Sequence, residues 1–70
     1  MKIKFWNVGS GKWSGTVTVK EGADPDLAVV REAKKHLASK GIDLDPPDGA
    51  APGMIFAGGR AVGYYKYELP

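Results

Sequence analysis

Seventy residues is short for a domain, and a chain of this size buries only about 60% of the surface its unfolded form exposes, so the expectation is one core and a single domain over residues 1–70. Apolar residues make up 43% of the chain and include two Trp, three Tyr and two Phe, the composition of a folded domain rather than a disordered tail. With no Cys and one His there is neither a disulfide nor a structural zinc site to build, and a net charge of +2 is too small to mark a nucleic-acid binder by charge alone.

Lys2 to Val8 reads as a strand with Ile3 and Phe5 on one face and Lys2, Lys4, Trp6 and Val8 on the other. Gly9-Ser10-Gly11-Lys12 is a turn cluster, and Trp13 to Lys20 resumes a period of two, setting Trp13, Val17 and Val19 against Ser14, Thr16, Thr18 and Lys20. An antiparallel hairpin follows. Asp24 is placed to cap a helix and Pro25 suits its first position, where no N–H is needed. Leu27, Val30, Ala33 and Leu37 keep helical spacing, widened by Val29 and Ala38, while Arg31, Glu32, Lys34 and Lys35 lie off that stripe. The spacing predicts about four turns ending at Gly41, with Ile42 folded back on Leu37. Asp43 to Pro52 reads as a loop because it holds three prolines, although Leu44 is apolar enough to reach the core. Met54 to Ala57, the Gly58-Gly59 turn and Ala61 to Leu69 form a second hairpin. A two-residue loop at Gly58-Gly59 pairs Phe56 with Ala61, Ile55 with Val62 and Met54 with Gly63, and the polar Lys66 and Glu68 on the face of Val62 and Tyr64 leave Tyr65, Tyr67 and Leu69 for the helix side. The expected fold is therefore α+β, a two-layer β-β-α-β-β arrangement with one helix on a four-stranded, mainly antiparallel sheet.

Three groups of residues invite a chemical reading. Gly9-Ser10-Gly11-Lys12 looks like a phosphate loop, but Trp13 stands where Ser or Thr is required, Trp6 where the earlier Gly is required, and a strand follows instead of a helix. Asp43, Asp45 and Asp48 ahead of Gly49 suggest a calcium loop, but two prolines interrupt them and no downstream Glu completes the set. His36 would have to activate Ser10, Ser14 or Ser39 as a nucleophile, and is more simply a histidine near a helix C-terminus. No catalytic residue, metal site or cofactor is expected, and the chain is read as not an enzyme.

The informative residues are those on the face away from the helix. Lys2, Lys4 and Trp6 from the first strand, Ile55 from the third, and Tyr64 and Lys66 from the fourth are the expected partner-binding set, joined by Val8 and Val62. Aromatic rings among lysines suit single-stranded nucleic acid, which stacks its bases and contacts through its phosphates. They equally suit a protein interface anchored by aromatics. The small net charge and the acidic helix start and loop favour a protein partner, with nucleic acid second and a homodimer seam third. The N-terminal residues lack the apolar run of a signal peptide, and no segment approaches the roughly 18 residues of a membrane span, so a cytoplasmic location is the expectation.

Two opening strands, a Gly-x-Asp-Pro helix start at Gly22-Ala23-Asp24-Pro25, an Ala-bearing helix and two closing strands make the layout resemble small phage-encoded anti-CRISPR proteins directed at type I systems. The likeness is one of layout, spans nearly the whole chain and assigns no residue a role. It implies a stoichiometric inhibitor that docks on a Cas subunit in the host cytoplasm and blocks DNA recognition, without cofactor or turnover.

Overall fold

A computed structural model describes residues 1–38 and 41–68; Ser39, weighed above as a nucleophile, and Leu69, placed on the helix side, lie outside them. Strands β1 (Lys2–Val8) and β2 (Trp13–Thr18) precede helix α1 (Pro25–Lys34), and β3 (Ile42–Asp45), β4 (Gly53–Ala57) and β5 (Arg60–Glu68) follow it. All pairings are antiparallel, in the order β2-β1-β5-β4-β3. The sheet thus has five strands rather than four. The extra one is β3, whose Ile42 and Leu44 alternate in burial with exposed Asp43 and Asp45. The prolines that argued for a loop begin only at Pro46.

The helix starts where expected. Asp24 is extended, with φ −76 and ψ 116, and its Oδ1 accepts the Asp26 N–H at 2.9 Å, while Pro25 opens the helix. Its end comes earlier than the Gly41 signal. Lys35 and His36 donate to the carbonyls of Glu32 and Ala33, three residues back, which tightens the last turn. The His36 ring then stacks on Trp13, with centroids 3.9 Å apart and planes at 12°. Ile42 pairs with Ala57 in the sheet.

The core-facing residues of the helix are Val29 and Ala33, with Ala28 and, just past its end, Leu37 packed beside them. Val29 and Ala33 are buried. Asp26 accepts the Tyr67 hydroxyl at 2.8 Å, and His36 lies on Trp13 within 3.1 Å of Glu32. These polar contacts flank the buried pair at the two ends, and Leu27, expected inside, is 61% exposed. With Val29 and Ala33, the core holds Ile3, Phe5, Val8, Val19, Ile55 and Tyr65.

Two irregularities redistribute residues between the faces. Asn7 takes a left-handed φ of 55 between the paired positions Phe5 and Val8, which turns Val8 into the core instead of onto the open face. In the second hairpin Phe56 pairs with Ala61 but Ile55 pairs with Gly63, leaving Val62 as the extra residue of a bulge, packed against the core. The two irregularities fit each other, because the inward-turned Val8 fills the space above Gly63, where a β-carbon would come within 3.1 Å of its Cα.

The buried end of the core is polar. The Tyr65 hydroxyl is enclosed without an aligned hydrogen-bond partner, and burial pushes that phenol above its ordinary value of 10.0, the neighbouring Tyr67 hydroxyl acting the other way. Tyr67 is also raised, first by burial and then because its protonated form donates to Asp26. A raised phenol contributes stability that is intact below pH 10.0 and is lost as the pH climbs toward its folded value. Chemical denaturation should therefore show Tyr67→Phe less stable by about 1 kcal/mol at neutral pH and less sensitive than wild type to alkaline conditions. Tyr65→Phe should move the other way, from neutral to a gain of about 1 kcal/mol, because it removes an unpaired buried hydroxyl.

Candidate functional site

Helix α1 covers one face of the sheet, and the side chains of the other face fall in rows across the strands. Lys2 lies opposite Thr18 on one side and Glu68 on the other, and Lys4 opposite Thr16 and Lys66. The next row runs through Trp6, Tyr64, Met54 and Asp45, crossing β1, β5, β4 and β3. Beyond it Phe56 lies opposite Asp43 and Ala61. The face is thus basic at one corner, aromatic and thioether in the middle, and acidic along the β3 edge.

Trp6 and Tyr64 stack across the strands with centroids 5.8 Å apart and planes at 18°, and each is half-buried. Lys4 and Lys66 are exposed, and among the described residues neither has a carboxylate within ion-pair distance. The salt bridges among the described residues join Glu32 to Lys35 at 3.2 Å and to His36 at 3.1 Å, on the helix. Two shallow grooves flank the Trp6 ring. One, of about 560 Å³, lies toward β2 between Lys4, Trp6, Ser14, Thr16 and Lys66. The other, of about 450 Å³, lies between Trp6, Lys66 and the turn carrying Pro47, Gly49 and Pro52. Trp6 and Lys66 border both.

Of the six expected partner-binding residues, Lys2, Lys4, Trp6, Tyr64 and Lys66 come together on this face. Ile55 does not. The bulge at Val62 aligns it with Gly63 on the helix side, where it is fully buried. Met54 and Phe56 take its place, since in an alternating strand its neighbours point the other way. Asp43 and Asp45 also arrive on the face once their segment is a strand, and the Ile-Asp-Leu-Asp alternation was the sequence signal for it.

The other groups with chemical promise have structural places. Gly9 to Lys12 is a hairpin turn closed by the Lys12 N–H on the Gly9 carbonyl at 3.1 Å. His36 has Trp13 on its ring face and Glu32 at Nε2. Asp48 closes a tight turn with Ala51 through paired backbone bonds of 3.2 and 2.9 Å, well apart in role from the strand acids Asp43 and Asp45. Among the described residues no cluster of three or more His, Cys, Asp or Glu side chains could hold a metal ion, and no helix is long and apolar enough to cross a membrane. Comparison with protein-family models, curated proteins and solved structures finds no match to this chain.

Proposed function

We propose that this protein is a non-catalytic binding module that docks on another protein through its open sheet face and acts stoichiometrically. The observation that carries this reading is the continuous row of Trp6, Tyr64 and Met54 across three neighbouring strands on a face no helix covers. Aromatic and Met side chains grouped near the centre of a polar surface are the residues that anchor protein interfaces. The resemblance in layout to type I anti-CRISPR proteins makes a Cas subunit the first partner to test, with block of DNA recognition as the inhibitory consequence.

Single-stranded nucleic acid is the second reading, supported by Lys4 and Lys66 beside the Trp6 ring. The acidic edge weighs against it, because a strand tracking the aromatic row would run its phosphates onto Asp45 and Asp43. Pull-down with tagged protein from a lysate holding a type I surveillance complex, with and without nuclease, separates the two. Nuclease-resistant capture of a Cas subunit in stoichiometric amount, weakening only modestly with salt, is expected. Retention of nucleic acid alone, with affinity falling steeply as salt rises, would sink the protein reading.

A further inference from the structure

We infer that the outer edge of β2 is a docking strand for an extended, acidic peptide segment of a protein partner, which adds to the sheet as a further strand. The inference rests on the protein-partner reading and names the chemistry of one part of that partner.

The two sheet edges are built differently. At one edge β3 is short, carries exposed Asp43 and Asp45, and runs into Pro46 and Pro47, all of which discourage pairing with another chain. At the other edge β2 runs from Trp13 to Thr18 with no charged residue and no proline. Its register against β1 is regular from Gly15 to Thr18, and its outward side chains are the small hydroxyls Ser14, Thr16 and Thr18. An edge of this kind presents a row of unpaired N–H and C=O groups with nothing to deter a guest strand.

The charge around this edge is mainly positive: Glu68 lies opposite Lys2, while Lys4 and Lys66 face each other without an acid between them. Residues 1–20 hold Lys2, Lys4, Lys12 and Lys20 and no acid, so all eight acidic residues of the chain lie beyond the hairpin. Lys4 sits directly opposite Lys66, and like charges paired in this way oppose each other until an anion arrives. The larger groove beside Trp6 opens between these lysines and β2. A strand added outside β2 would lie about 10 Å from the β1 backbone, a span that a lysine and a glutamate reaching toward each other close over Thr16. Nucleic acid would satisfy the lysines but not the row of backbone groups, whereas a peptide strand satisfies both.

The test titrates the isotope-labelled 70-residue chain with a short peptide of alternating Glu and Val, followed by amide NMR. Three further probes are the same peptide N-methylated at alternate residues, its Lys/Val counterpart, and an oligothymidylate of matched charge. Saturable binding of the Glu/Val peptide with the largest shifts from Ser14 to Thr18 is expected. Thr16→Glu and, independently of it, Lys4→Ala should each weaken that binding about tenfold. Tyr64→Ala, outside the groove, should change it by less than about twofold while lowering capture of the folded partner. Failure of the peptide arm and failure of the face are therefore distinguishable. Equal binding by the N-methylated or Lys/Val peptide, shifts centred on Tyr64, or binding of the oligothymidylate alone would overturn the inference.

Discussion

Gly9→Ala is expected to lower the melting temperature by on the order of 15 °C, because two independent costs meet at that position. Gly9 has a left-handed φ of +76, which costs a residue bearing a β-carbon roughly 1–2 kcal/mol. The added methyl would also stand 2.4 Å from the His36 carbonyl oxygen, and relieving overlap with backbone costs about 1–3 kcal/mol more. For a domain this small each kcal/mol is worth about 4–8 °C. The contact matters because it is where the β1–β2 turn meets the end of α1, with the Gly9 N–H also held by the Val62 carbonyl at 2.8 Å. Two control glycines separate the costs in the same thermal melts. Gly22 has φ +86 but open space around its β-carbon position, so Gly22→Ala should show the backbone cost alone, about 1 kcal/mol. Gly11 has open space and no left-handed φ, and Gly11→Ala should be neutral or slightly stabilising. A melt in which Gly9→Ala behaves like Gly22→Ala would show that the turn moves freely away from the helix.

Local signals identified most of the fold, and non-local ones decided what they missed. The β1–β2 hairpin, the Asp24-Pro25 helix start and the Gly58-Gly59 turn were legible because each is specified by neighbouring residues: alternation, a cap, and a pair of glycines that both take positive φ. The helix ends before the Gly41 signal, in a tightened turn at Lys35 and His36 where His36 stacks on Trp13, a contact between distant parts of the chain that no local pattern announces. The helix stripe was legible at Val29, Ala33 and Leu37, which are buried or packed on the core, and failed at Leu27, which is exposed on the turn where Asp26 accepts the Tyr67 hydroxyl. Strand β3 was visible as an Ile-Asp-Leu-Asp alternation but masked by the prolines that follow. The membership of the binding face turned on parity. One extra residue, Val62, exchanges Ile55 for Met54 and Phe56, and the bulge has no local marker because the space that favours it is the one Val8 fills above Gly63.

That exchange bears on the other large effect. Trp6→Ala should weaken capture of the partner about thirtyfold or more, the cost of losing an anchoring aromatic at the centre of an interface. The fold should survive, because Trp6 lies outside the core cluster and the change removes a cross-strand stack worth about 1 kcal/mol. Tyr64→Ala should cost less on its own, and the double variant less than the two singles combined. Each ring supports the other at 5.8 Å, so removing the first already loosens what the second offers the partner. Phe56→Ala should fall between a rim charge and Trp6, whereas Ile55→Ala should act only through stability, as a buried core truncation costing about 2–5 kcal/mol. Measuring affinity and denaturant midpoint on all five proteins makes the distinction. Ile55→Ala that retains its fold yet loses the partner more than Phe56→Ala does would place the interface on the helix side, and the open face would lose its claim.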